Sequence, residues 1–199
     1  ARTDELTGLA NRRKFLAELD LLLRKEGTLL ILDLDGFKEV NDMYGHDVGD
    51  QLLRLIAHRF TRTLSGDSLL ARLGGDEFGV VIYGDAKVGR EAALALRASL
   101  SYPFNLSIGE ISVGVSIGSA ANSAEMSSKE DLLRSADAAM YAAKRFQVHF
   151  TFYEAGLNQL SAANLEFDVW HALERGQLHL MYQPQLRSSG AQRLRGCEV

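Results

Sequence analysis

Apolar residues change their spacing several times along this chain, and each change marks an element. After Asn11, Phe15, Leu16, Leu19, Leu22 and Leu23 recur at helical spacing, which predicts a helix ended by Gly27. Leu29-Leu30-Ile31-Leu32 then runs without alternation, the pattern of a short strand covered on both faces, and its end delivers Asp33. From Val48 to Ser65, the set Leu52, Leu53, Ile56, Phe60 and Leu64 returns to helical period, with Arg54, His58 and Arg62 outside it. Leu69-Leu70-Ala71 and Phe78 to Tyr83 read as two strands, so Gly74-Gly75 falls where a β-hairpin must reverse. Ala86 to Leu100 predicts a helix buried through Val88, Ala92, Ala95, Leu96 and Leu100. Ile111, Val113, Val115 and Ile117 alternate with Ser112, Gly114, Ser116 and Gly118, a strand whose second face is small enough for close packing. Ser127 and Glu130 form a capping box for a helix bearing Leu132, Leu133, Ala136, Met140 and Ala143, and His149 to Tyr153 closes the set as a strand. Together these elements predict an α+β sheet covered by helices.

After residue 155 the pattern changes. A helix through Leu165, Val169 and Leu173 precedes Gly176, a strand over Leu178 to Pro184, a turn at Ser188-Ser189-Gly190, and Leu194 to Val199. The predicted division is a domain at 1–155, a linker at 156–164 and a fragment at 165–199.

Composition narrows the function classes. Of 199 residues, 46% are hydrophobic and 24% charged, which suits a globular fold with a core. The net charge of -4 argues against nucleic-acid binding, which rests on many phosphate-neutralising cations. A phosphate-rich ligand would need metal ions and a few placed cations. The single Cys197 cannot form an internal disulfide, consistent with a cytoplasmic setting. No run approaches the ~18 apolar residues of a membrane span, so no membrane contact is expected. Starting at Ala1 without methionine, the chain reads as a piece excised from something longer, a reading compatible with a membrane anchor elsewhere in the parent.

The candidate chemistry gathers at Arg72-Leu73-Gly74-Gly75-Asp76-Glu77-Phe78. The two glycines let an anion approach the hairpin backbone, and Asp76 and Glu77 sit together at its tip. An isolated Gly-Gly-Asp is more often an ordinary turn with solvated acids. Three further stretches change that weighing: Asp4 to Arg12 (Asp-Glu-Leu-Thr-Gly-Leu-Ala-Asn-Arg), Asp33 to Asp50, and Ala136 to Lys144. With the hairpin, in this order, they resemble the GGDEF family of diguanylate cyclases over residues 1–155. The tail resembles the start of an EAL domain, the cyclic di-GMP phosphodiesterase fold, broken off at Glu198-Val199, a fragment without phosphodiesterase activity of its own.

The resemblance implies an antiparallel-rich sheet like the polymerase palm and the nucleotidyl cyclases. It implies condensation of two GTP into cyclic di-GMP and two pyrophosphates by a homodimer, with Mg²⁺ or Mn²⁺. It makes Asp33, the Leu34 carbonyl and Asp76 metal ligands, Glu77 a second-metal ligand or proton acceptor, and Arg72 a transition-state stabiliser, with Asp76 and Glu77 also catalytic. Asn41 and Asp50 match the guanine contacts; Phe37, Lys38, Gly74, Gly75 and Lys144 match the phosphate-binding positions. Read without the family, Asn41 is a turn or cap residue, Asp50 a first-turn helix acid and Lys144 an exposed cation near a helix end. His46 is read as structural, and so is Asp35, on the view that it faces away from Asp33.

Two departures stand out. Gln147 and Val148 occupy the positions of a Gly and a phosphate-binding Arg, which weakens the expected GTP affinity, with Arg145 a partial substitute. The product-binding inhibitory motif would fall on Ser65 to Ser68 and is absent. The rival functions are a GTP-binding module that regulates an adjoining EAL domain and an inert dimerisation scaffold. An upstream sensory domain and a downstream EAL domain are expected in the parent protein.

Overall fold

The computed structural model describes residues 2–122, 128–146, 150–152, 183–186 and 194–198. The chain divides into two compact units, Ala1–Glu154 and Ala155–Val199. The first runs β1 (Ala10–Asn11), α1 (Arg12–Leu22), β2 (Gly27–Asp35), α2 (Phe37–Tyr44), α3 (His46–Thr63), β3 (Ser68–Gly74), β4 (Glu77–Tyr83), α4 (Ala86–Ser99), β5 (Phe104–Leu106), β6 (Gly109–Ile111), β7 (Gly114–Ala121), α5 (Lys129–Phe146) and β8 (Phe150–Phe152).

Six strands form one sheet in the order β1-β3-β4-β2-β7-β8. The inner pairs β3–β4, β4–β2 and β2–β7 are antiparallel, while β1–β3 and β7–β8 are parallel. β2 lies at the centre, which explains its unbroken apolar run. Leu30, Leu32 and Leu34 face one core with Leu52, Ile56 and Phe60 of α3 and Leu96 of α4. Leu29 and Ile31 face a second core with Phe15 and Leu19 of α1 and Leu132 and Ala136 of α5. Burying each of the Leu, Ile and Phe side chains stabilises the fold by roughly 1.5–3 kcal/mol.

Several local expectations are revised. Gly27 does not end α1, whose C-cap is Leu23; Gly27 instead starts β2, where a Cβ would collide with Leu22 and the Ile82 carbonyl. On α4 the buried positions are Gly89, Ala93 and Leu96 rather than Val88 and Ala95, because the helix approaches Thr28 too closely for any side chain at 89. The alternating stretch from Ile111 is split: β6 ends at Ile111 in a separate hairpin with β5, and β7 begins at Gly114. The α5 capping pair is one residue later than expected. Ser128 Oγ accepts from the Asp131 amide at 3.1 Å and donates to Asp131 Oδ2 at 2.8 Å; Ser127 lies outside the described residues.

The small face of β7 is filled as expected. A Cβ at Gly118 would overlap the α5 backbone at Ala136 and Met140, so the helix sits directly on the strand. Gly118→Val should therefore cost about 3 kcal/mol or more, by overpacking against backbone that cannot yield. Urea denaturation of the two proteins measures this; an unchanged midpoint would contradict the packing.

In the second unit, β9 (Gln183–Leu186) and β10 (Leu194–Glu198) pair antiparallel. The helix expected through Leu165, Val169 and Leu173 and the Ser188–Gly190 turn lie outside the described residues. Among the described residues no helix is long and apolar enough to cross a membrane.

Candidate active site

The central strand carries Asp33 to its last turns of register, where it pairs with Glu77 at the start of β4 and with Ser116 of β7. The β3–β4 hairpin turns at Gly75 (φ 53°), a left-handed conformation natural to glycine, and the strand pairing shifts register beside it. Gly74 and Gly75 have open space where a Cβ would stand, so the backbone at the tip is accessible. Asp76 sits on that tip, and its carbonyl accepts from the Leu34 amide at 3.3 Å, tying the hairpin to the end of β2.

Beyond Asp35 the chain turns at Gly36 and enters α2 at Phe37. A cleft of about 320 Å³ opens there, lined by Asp33, Leu34, Asp35, Gly36, Phe37, Lys38, Glu39, Asp76 and Lys144. Lys144, near the end of α5, places Nζ 2.6 Å from Asp33 Oδ1. Six of the sequence-derived positions thus meet in one concavity, with the first amides of α2 at its edge.

Asp33 is nearly covered, at 13% side-chain exposure. Burial pushes its carboxyl above the ordinary value, and the charges of Asp76 and Asp35 push the same way, outweighing the Lys144 ammonium. Glu77 is also raised, first by burial and then by Asp33 and Asp137, with Arg12 opposing. Two oxyanions held close at a cost are a fit donor set for a hard divalent cation. Among the described residues no three His, Cys, Asp or Glu side chains make a complete cage. Mg²⁺ commonly takes only one or two protein carboxylates and completes its shell with phosphate and water.

Asp35 does not face away from Asp33. Residues two apart in a strand share a face, and both line the cleft. Asp35 Oδ1 accepts from Ser116 Oγ at 2.7 Å, which fixes it as a neighbouring charge.

The remaining candidates stand outside the cleft. Asn41 on α2 packs against Gly49 on α3, where a Cβ would strike its Oδ1; this sets Asn41 beside the turn that carries Asp50. Arg72 is held on both sides: Nε and Nη2 donate to the Gly75 carbonyl at 3.0 and 2.8 Å, and Nη1 donates to both Asp4 carboxylate oxygens at 3.3 Å. Asp4 itself accepts from the Thr7 amide and hydroxyl at 2.9 and 2.6 Å. Burial alone would raise the Asp4 carboxyl, but Thr7 and Arg72 hold it below its ordinary value.

Sequence reasoning missed roles for Asp4, Arg12 and Asp137. Asp137, on the outer flank of α5, is raised by partial burial while Arg12 draws it down, and it adds to the negative field at Glu77. All three lie inside the quoted opening and closing motifs, which was the available signal. Gln147 and Val148 lie outside the described residues.

The chain is 36% identical over 195 residues to the bifunctional diguanylate cyclase/cyclic di-GMP phosphodiesterase MucR of Pseudomonas aeruginosa, covering 92% of this chain and 28% of that protein. It is 39% identical over 156 residues to the response regulator PleD of Caulobacter vibrioides, covering 72% of this chain and 34% of PleD. The cyclic di-GMP phosphodiesterase PdeR of Escherichia coli is 36% identical over 198 residues, covering 96% of this chain and 30% of PdeR. The chain thus spans about a quarter to a third of the length of these curated relatives. Among solved structures, the isolated GGDEF domain of YfiN from Pseudomonas aeruginosa aligns with TM-score 0.73 at 36% identity, over 79% of this chain and 98% of that one. The GGDEF domain of DgcB from Caulobacter crescentus, in complex with c-di-GMP, aligns with TM-score 0.71 at 32% identity, over 77% and 94%. The family model described as diguanylate cyclase, GGDEF domain, matches residues 1–148, and the chain belongs to that family.

Proposed function

We propose that residues 1–155 form a diguanylate cyclase that condenses two GTP into cyclic di-GMP and two pyrophosphates, each of two subunits holding one GTP. The observation that carries this reading is the cleft where Asp33, Asp76, Lys38, Lys144 and the first amides of α2 meet. Asp33, Asp76 and the Leu34 carbonyl would hold Mg²⁺ or Mn²⁺, with Glu77 adjoining. Such a cation, when bound, would supply positive charge at the α-phosphate and make the attacking 3′-hydroxyl more acidic. Lys38, Lys144 and the α2 amides bind the triphosphate, and the open backbone at Gly74 and Gly75 lets it lie against the hairpin. Glu77, whose proton affinity is raised, accepts the hydroxyl proton, and Arg72 balances charge developing at phosphorus. Incubation with GTP and Mg²⁺ should yield cyclic di-GMP on chromatography, with a rate that rises more steeply than linearly with protein concentration; no product at any concentration refutes the reading.

Asn41 and Asp50 give guanine selectivity, because a carboxylate accepting from N1–H and the 2-amino group leaves adenine unmatched. Asp50→Ala should weaken GTP binding by ~1–3 kcal/mol and narrow its advantage over ATP. Equal binding of both nucleotides by the unaltered protein excludes this role.

Residues 165–199 are proposed to be the start of an EAL domain, in support of which MucR and PdeR match across 92% and 96% of this chain. A second reading, a GTP-binding regulator of that EAL domain, is favoured by Val148 and by PdeR, a relative named for phosphodiesterase activity alone. Val148→Arg separates the two. Under the cyclase reading it should tighten GTP about tenfold and raise turnover at low GTP; tighter binding without turnover selects the regulator.

A further inference from the structure

The net charge of -4 is not evenly spread. Between Gln51 and Gly66, and again between Ser99 and Gly109, the sequence has no Asp or Glu, while the first stretch carries Arg54, His58, Arg59 and Arg62. The fold brings these two acid-free stretches together, since α3 packs against β5. Between them lies a cavity of about 510 Å³, larger than the candidate active-site cleft and separate from it. His58, Arg59 and Arg62 line it with Asn105 and Thr63, and among the described residues no carboxylate does.

The wall is rigid. Arg59 donates from Nη1 to the Ser99 and Tyr102 carbonyls at 3.1 and 2.5 Å and from Nη2 to the Pro103 carbonyl at 3.2 Å. Its guanidinium lies 3.5 Å over the centroid of the buried Phe104 ring. This clamp fixes the β5 approach against α3 and spends Arg59's donors on neutral carbonyls, so its charge is left unneutralised. Among the described residues neither Arg54, Arg59 nor Arg62 has a carboxylate within ion-pair distance. Arg62 and His58 are exposed at the cavity wall, one helical turn apart on the same face of α3.

We propose that this cavity is a second, metal-independent binding site for a phosphorylated small molecule of nucleotide size. Its volume falls within the range of small-ligand pockets. Arg62 and His58 are placed to donate to phosphate oxygens, and Asn105 and Thr63 to the polar groups that carry them. The concave shape favours a compact anion over an extended acidic peptide. The site rests on geometry that the cyclase reading does not use, so either can fail alone.

The test is NMR titration of the full chain in excess chelator, with inorganic pyrophosphate in one arm and ADP in the other. Both should shift the amides of residues 58–63 and 103–105 in a saturable way. Arg62→Glu and the His58→Gln/Arg62→Gln pair should weaken binding about tenfold or more with the melting temperature preserved, whereas Lys144→Ala should leave it unchanged. Saturation by ADP at far lower concentration than by pyrophosphate identifies a nucleotide site; equal saturation identifies a site for the phosphates alone, and both support it. The proposal is overturned by an absence of saturable shifts, by binding lost with Lys144→Ala but not with Arg62→Glu, or by an oligoglutamate peptide that saturates the same amides more tightly than either anion.

Discussion

Asp33→Asn is expected to lower cyclase turnover by roughly a thousandfold or more while making the isolated fold more stable at neutral pH. The two halves of this expectation have one cause. Asp33 is nearly buried, and Asp76 and Asp35 add negative field to it, so its carboxyl is raised above its unfolded value despite the Lys144 pair. A carboxyl raised by folding binds its proton more tightly in the native state than in the unfolded one. Stability therefore falls as pH rises through the window between the two values, and the full cost persists above it. Asparagine keeps the shape and removes the charge, so that cost disappears, along with the hard oxyanion a divalent cation needs. Asp76→Asn should match the loss of turnover. Activity with GTP and Mg²⁺ and thermal melts at pH 5 and 7.5 measure both effects, with the stability gain larger at pH 7.5. Near-normal activity in either variant removes that residue from the proposed metal site; a loss of stability in Asp33→Asn at pH 7.5 would show that the Lys144 pair outweighs the burial.

How much of this was legible in the sequence depended on whether a signal was local. The unbroken run Leu29 to Leu32 announced a strand buried on both faces because both cores read the same short segment. The hairpin at Gly74-Gly75 was equally local. Gly27 and Gly89 were not: whether a glycine ends a helix or admits a close neighbour depends on a partner distant in sequence, here the Ile82 backbone and the Thr28 side chain. The β5–β6 hairpin escaped because Ile111 continues the alternation of β7 across the break at Ser112-Val113. For the site, the metal candidates at Asp33 and Asp76 came from the family resemblance, in keeping with their places at a strand end and a hairpin tip, but the network around them did not. Arg12 and Asp137 act on Glu77 from α1 and α5, and only the sheet brings those helices to the same edge.

Asp4 is the clearest case of a residue whose effect exceeds its apparent station. It lies at the far end of the unit's sequence from the hairpin, separated from Arg72 by 68 positions, yet it grips the same guanidinium that holds the Gly75 carbonyl. The Thr7 amide and hydroxyl fix the Asp4 carboxylate, so the chain Thr7–Asp4–Arg72–Gly75 runs from the opening motif to the hairpin tip. Arg72→Ala removes both the tether and the cation and should cost a hundredfold to a thousandfold in kcat, on the order of an oxyanion-stabilising donor. Asp4→Ala leaves the cation held on the Gly75 side alone, and a misplacement of about 1 Å in a positioned group can cost roughly a hundredfold. The two losses should not add: with Arg72 absent, Asp4 has nothing left to hold, so the double variant should be no worse than Arg72→Ala. The Asp4 carboxyl is held below its unfolded value, so its stabilising contribution is present above the ordinary carboxylate value of about 4 and is lost as pH falls through the lower folded one. Measuring kcat for the two single variants and the double completes the cycle. Additive losses would separate Asp4 from the hairpin and leave Arg72 to be positioned by the Gly75 carbonyl alone.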